Sequence, residues 1–217
     1  MFKKAVALGP GHKLSGADRK KIRKSLLASL AGATEADIDE FLPPKGDVAV
    51  SKLAAPSRGA VYTNAGTPVV VDSSGKGDFY PTVMALWAAP NLLPCLTLKH
   101  PAVSKFVIGG ADLMSPGVHI PAGGLPPFSA GQLYGVRVAG NPAPIAVGVT
   151  AMGSDACIKG KGKVIEVLQV FGDFLWAMAP GRPVPNDGFH QQFVVPLGVD
   201  ATAGALEDLD FADDEDA

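Results

Sequence analysis

The chain has 217 residues, 47% of them hydrophobic and 18% charged, ordinary globular usage that lets a real core form and suits two small domains better than one. No window approaches the roughly 18–20 consecutive apolar residues of a membrane span, and the start, MFKKAVALGPGHK, lacks the long apolar region of a secretory signal. The formal charge of −2 hides an asymmetry: residues 207–217, EDLDFADDEDA, hold seven acids and no base, so 14 acids face 19 Lys and Arg elsewhere and the body carries about +5. A basic body with an acidic tail is a layout suited to polyanions.

The first element is a helix. Ser15 can cap it, with Asp18 three residues on, and Ile22, Leu26 and Leu30, with Leu27 beside them, form an apolar stripe at helical spacing. Arg19, Lys20, Arg23 and Lys24 are read as a basic ridge off that stripe, and Gly32 as the stop. Thr34 then caps a second helix that carries Ile38, Phe41 and Leu42 inward until Pro43-Pro44 ends it. From Asp47 the period changes to two. DVAVSKL, AVYT and TPVVVD read as strands, with Asn64-Ala65-Gly66 as a turn. Ser73–Asp78 is a polar loop, and in FYPTVMALWAAP Pro81 is expected in the first turn of a helix that Pro90 closes.

Pro94 marks a seam. Beyond it the pattern predicts a strand over Leu96–Leu98, a short helix from Pro101 to Ile108, and a strand entered through GGADLMSPGV. QLYGVRVAG and APIAVGVTAM alternate on either side of Gly140-Asn141-Pro142, a helical turn falls near Ser154–Ile158, KGKGKVIEVLQV follows, and DFLWAM is read as a final strand. Many short strands with one or two helical turns indicate a small, partly closed barrel. Residues 180–217, rich in Pro and Gly and then in acids, are expected to be mostly unpacked.

Catalytic and metal chemistry find no foothold. His12, His100, His119 and His190 are scattered, CxxC and HExxH are absent, and neither GPGHKLSG nor SSGKGD ends as a phosphate-binding Walker loop must. No GxSxG occurs, and Asp112, without an acid–base partner, reads as a hydrogen-bonding strand or turn residue. The expectation is a non-enzyme without cofactor or metal. Cys95 and Cys157, far apart, fit buried thiols in a reduced, cytoplasmic setting. What remains is a binding surface: KGKGK at 159–163 puts three cations on glycine-flexed backbone, a shape able to follow phosphates. Trp87 and Trp176 are read as core residues rather than stacking platforms.

The stretch GADLMSPGV resembles the signature of PUA domains, small RNA-binding pseudo-barrels. FYPT (79–82), AVGVTAM (146–152), KGKG (159–162) and DFLW (173–176) agree in order, and with MFKKA, SGADRKKIRK, LWAAPNLLP and VAGNPAPIAVGV the chain is similar to the N-terminal half of the ligatin family of translation initiation factors. The malignant T-cell amplified sequence proteins are the shorter relatives. The resemblance implies an α+β chain in which residues 1–92 form a pre-PUA domain of helices on an antiparallel sheet, 93–178 a PUA-type pseudo-β-barrel, and 179–217 a flexible acidic C-terminal tail. It implies binding to the small ribosomal subunit and to tRNA or rRNA, tRNA placement in the P site without GTP, and roles in reinitiation and recycling.

The family continues into a winged-helix region and a SUI1-type domain. Two readings therefore stand: a fragment of a longer factor, or a chain whose SUI1 part a partner protein supplies. The candidate RNA-binding residues are Arg19, Lys20, Arg23, Lys24, Gly109, Gly110, Ala111, Lys159, Lys161 and Lys163, with the backbone amides at 109–111 expected to face a phosphate or ribose and Leu113 and Met114 to anchor the barrel. Two other functions remain open at this point: a PUA module that targets an RNA-modifying enzyme, and a protein–protein scaffold without RNA affinity. The acidic tail is expected to lie over the basic ridge and suppress nonspecific RNA binding.

Overall fold

Residues 2–30 and 32–199 are described by the structure, a computed structural model of the chain. A two-residue strand, β1 (His12–Lys13), precedes α1 (Gly16–Ser29), which starts where the Ser15 side chain accepts from the Asp18 N–H. Thr34 and Asp37 exchange hydrogen bonds with each other's backbone, a complete capping box, and so open α2 (Glu35–Phe41). Then come β2 (Val48–Lys52), β3 (Ala60–Asn64), β4 (Thr67–Asp72) and β5 (Phe79–Pro81), forming an antiparallel sheet in the order β1-β2-β3-β4-β5. The β3–β4 turn places Ala65 and Gly66 at φ 47° and 83°, the paired left-handed conformation that joins twisted strands with least strain.

Pro81 does not begin a helix. It closes β5, the outermost strand, where a missing N–H breaks no ladder, and Thr82 takes the capping role for α3 (Val83–Ala88) by accepting from the Ala85 N–H. The buried side chains of α1, α2, α3 and the sheet share one core, centred on Leu26, Ile38, Phe41, Val61, Val70 and Leu86.

The second half holds β6 (Cys95–Leu98), a 3-10 turn at Pro101–Val103, α4 (Ser104–Ile108), β7 (Leu113–Met114), β8 (Leu133–Val138), β9 (Pro144–Thr150), α5 (Ser154–Ile158), β10 (Lys163–Val170) and α6 (Phe174–Met178). The sheet order is β6-β8-β9-β10-β7, with β6 parallel to β8 and the other pairs antiparallel. It closes. After β7, on one edge, the chain turns through Ser115–Gly117 into Val118, which bridges Leu98 of β6 on the opposite edge. Lys99 N–H donates to Gly117 O at 2.8 Å and His119 N–H to Thr97 O at 2.8 Å, so the curled sheet becomes a pseudo-barrel around Val136, Ile145, Val164 and Ile165.

Two expectations fail here. DFLWAM is a helix, because the Asp173 carboxylate accepts from the N–H groups of Trp176 (3.1 Å) and Val170 (3.2 Å) and so caps a turn immediately after β10. Residues 180–199 are not unpacked either. Phe189, Val194 and Val195 are buried, Asn186 and Asn141 exchange side-chain hydrogen bonds at 3.0 Å, and Ser104 Oγ accepts from Val194 N–H at 3.0 Å. The segment seals the end of the barrel where the β8–β9 turn and α4 meet. The acidic run 207–217 lies outside the described residues.

The halves are joined through α3. Val83 N–H donates to the Gln169 side chain at 2.7 Å, Trp87 Nε1–H donates to Pro144 O at 2.9 Å, and Val147 and Leu175 from the second half pack into the first core.

Candidate nucleic-acid interface

Of the four cations assigned to the α1 ridge, Lys20 and Lys24 stand exposed and Arg19 and Arg23 do not. Arg19 is 6% exposed, and its guanidinium donates to the carbonyls of Pro43, Pro44 and Gly46, holding down the loop that follows α2. Arg23 donates to Leu42 O and pairs with Asp39, so it ties α1 to the end of α2. Both leave the proposed RNA surface. The spacing carried the signal: Arg19 lies three residues before Ile22 and seven before Leu26, on the apolar stripe itself.

The amides at 109–111 are also occupied. Gly109 N–H donates to Lys105 O, Gly110 N–H to Val107 O and Ala111 N–H to Phe106 O, all at 2.8–2.9 Å. With Gly110 at φ 87°, this is a Schellman stop for α4, and the three donors are spent on the helix end rather than offered to a phosphate. What the motif does next is place Asp112. Its carboxylate accepts from Val167 N–H at 2.9 Å and from the Lys163 ammonium at 2.8 Å, tying β7 to β10. Partial burial pushes this carboxyl upward, but the Lys163 and Val167 donors and the nearby Lys3 charge outweigh it and hold it below the usual carboxylate range. Lys163 is held above its ordinary value by the same hydrogen bond and charge.

Beside this pair stands the KGKGK loop. Ser115 N–H and Oγ–H both donate to Gly162 O, at 2.9 and 3.1 Å, and a Cβ at Gly162, whose φ is 96°, would lie 2.9 Å from Met152 Cε. The base of the loop is therefore fixed while Lys159 and Lys161 project into solvent with no ion pair to a described residue. Leu113 points into the barrel as expected, but Met114, one position along the strand, is 48% exposed opposite Lys163 in the ladder. Ile158 and Phe106 are exposed as well, and the Lys105 ammonium lies 5.1 Å from the Phe106 ring centroid. The Lys105–Phe106 pair is not legible in the sequence, because α4 is too short to show which face is buried, and Met114, expected as a barrel anchor, faces out because successive strand residues point to opposite sides. Cations interleaved with apolar side chains can meet phosphates and sugar or base faces together.

The thiols of Cys95 and Cys157 are pushed up by burial and stay protonated at neutral pH, and among the described residues no three His, Cys, Asp or Glu side chains are gathered as metal ligands. Among those residues no helix is long and apolar enough to cross a membrane.

Comparison with known proteins places this geometry. Residues 2–90 match the family model of the Pre-PUA-like domain, and residues 93–174 that of the eIF2D PUA domain. The chain is 38% identical to eukaryotic translation initiation factor 2D of Rattus norvegicus over 180 residues, covering 81% of this chain and 31% of the rat protein. With the Homo sapiens factor the identity is 33% over 205 residues, 93% of this chain and 33% of the other. Malignant T-cell-amplified sequence 1-A of Xenopus laevis is 36% identical over 104 residues, 48% of this chain and 57% of that one. The chain thus spans about a third of the length of the factor 2D relatives it matches.

Among solved structures, a hypothetical protein of Pyrococcus horikoshii superposes with TM-score 0.61 at 20% identity, covering 79% of this chain and all of that one. A PUA domain protein of Thermoplasma acidophilum does so with TM-score 0.59 at 21% identity over the same shares. These two support the fold alone. The sequence relatives go further: the chain is homologous to eukaryotic translation initiation factor 2D (ligatin) over most of its length, with a pre-PUA-like domain followed by a PUA domain.

Proposed function

We propose that the chain is a non-catalytic translation initiation factor module that binds RNA and the small ribosomal subunit, and through that contact supports GTP-independent placement of tRNA in the P site, reinitiation and recycling. The reading rests on one observation above the others: in a chain homologous to factor 2D, Lys159 and Lys161 stand exposed, with no ion pair among the described residues, on a loop whose base Ser115 fixes, beside exposed Met114 and Ile158. Lys20 and Lys24 on α1 add exposed charge from the first half. Lys163 serves mainly to hold the loop root through Asp112. Contacts of this kind position a protein on folded RNA without reading its sequence. The cytoplasm is the compartment this work requires.

The test is co-sedimentation with purified small ribosomal subunits, with and without initiator tRNA. Binding should weaken steeply with salt, at a log–log slope of about −0.9 per phosphate neutralised. Lys159→Glu with Lys161→Glu should lower affinity at least tenfold, on the order of the cost of losing and reversing two such contacts. Unchanged binding in that variant removes the loop from the interface. Recovery of an RNA-modifying enzyme instead of subunits in a pull-down replaces this reading with the targeting one.

A further inference from the structure

Between α1 and the face of β1–β4 lies a cleft of about 690 Å³ that the lysine loop of the barrel does not touch. Its volume falls within the range of sites that enclose a small ligand. Four cations line it: Lys21 from α1, Lys52 from β2, Arg58 from the β2–β3 connection and Lys76 from the Ser73–Asp78 loop. All four are exposed, and none pairs with a carboxylate among the described residues. Two acids also line the cleft, and both are engaged. Asp18 accepts from Ser15 Oγ–H at 2.6 Å, and Asp72 accepts from the N–H groups of Ser74, Gly75 and Gly77 at 3.3, 2.8 and 3.0 Å. The cations are left in excess, and a walled cleft focuses such an excess.

The rim is built rather than incidental. Asp72 is only 4% exposed and holds its loop by those three backbone bonds. Gly75 sits at φ 72°, and a Cβ there would fall 2.1 Å from Arg58 O, so the loop carrying Lys76 is seated directly on the segment carrying Arg58. At the floor, Tyr62 and Phe79 meet edge to face, with centroids 5.9 Å apart and planes at 74°. Burial, with the Asp72 and Asp18 charges, holds the Tyr62 phenol above its usual range, so its hydroxyl remains a donor at any physiological pH.

We propose that this cleft is a second RNA site that takes a short single-stranded segment, with Lys21, Lys52, Arg58 and Lys76 on the phosphates and a base against the Tyr62–Phe79 floor. The inference rests on the RNA-binding reading above in its choice of ligand and on separate residues in its geometry. An acidic peptide would satisfy the cations and leave the aromatic and apolar floor unmatched. A duplex would keep its bases stacked and out of reach of the floor. A single strand uses both.

The experiment is fluorescence anisotropy of the full chain with fluorescein-labelled hexauridylate at low salt. Arg58→Glu with Lys76→Glu should lower hexamer affinity about tenfold or more, and Lys45→Glu with Lys99→Glu, the same charge change at exposed positions outside the cleft and the lysine loop, should leave it within about twofold. All four side chains are exposed, so these variants fold, which circular dichroism checks. An unchanged affinity in the first variant overturns the cleft, as does a loss confined to the second. Displacement of the hexamer by hexaglutamate at lower concentration than by unlabelled hexauridylate also overturns the assignment, in favour of an acidic peptide. Small-subunit co-sedimentation is run on these variants and on Lys159→Glu with Lys161→Glu: a loss there only with the lysine-loop variant tests the barrel reading and leaves the hexamer result standing by itself.

Discussion

Asp112 shows how one side chain of the GGADLMSPGV stretch sets the position of its strand. It takes the Val167 N–H on one oxygen and the Lys163 ammonium on the other, so the two-residue strand β7 is held to β10 by more than its short ladder. Because the native carboxyl sits below its ordinary value, the stability it contributes is complete above the usual carboxylate range, near pH 4, and is lost as pH falls through the lowered native value. An Asp112→Asn variant keeps an acceptor for Val167 and loses the ion pair. Urea midpoints of native and variant chains should therefore differ at pH 7 and converge below about pH 4. A gap that stays constant down to pH 3 would mean that the charge on Asp112 does not stabilise the fold.

At the level of elements, local rules were legible wherever a side chain and its own backbone settle the structure. The caps Ser15 and Thr34, the Asn64–Gly66 turn and the alternating strands of both sheets follow from neighbours in the chain. The failures share a different cause. Arg19 is buried because carbonyls 24 to 27 residues away accept its protons, and residues 180–199 pack because Phe171, Trp87 and Ser104 offer them a surface. Neither partner set is visible in a local window. The C-terminal segment gives no periodicity to read, yet Phe189 stacks edge-on against Trp87 and Phe171 at centroid distances of 5.5 and 5.0 Å. Phe189→Ala should cost about 3 kcal/mol or more, as buried aromatic truncations do. Its mark should be local as well, with hydrogen exchange at Val194, Val195 and Leu197 accelerating before the barrel strands do. Exchange at those amides matching the native rate would show that the segment is held by its hydrogen bonds alone.

For the whole molecule the decisive contact is Gln169, fully buried in β10. Its carbonyl oxygen accepts from Val83 N–H at 2.7 Å, while its amide donates to Val170 O at 2.6 Å and to Asp173 at 3.0 Å. Val83 opens α3, so its N–H is one of the donors a helix cannot satisfy internally, and the second domain satisfies it. Asp173, held above its usual range by burial and partly offset by these donors, caps α6 from the same cluster. One polar side chain thus joins the helix start of the first half to the strand and cap of the second. Gln169→Leu preserves volume and strands Val83 N–H in the interior, a cost of about 1–3 kcal/mol. Calorimetry of the native chain should give a single transition, and that of the Gln169→Leu variant a split or broadened one. A single sharp transition merely shifted to lower temperature would mean that Gln169 stabilises one half without coupling the two, leaving Trp87 and the Val147–Leu175 contacts to hold the seam.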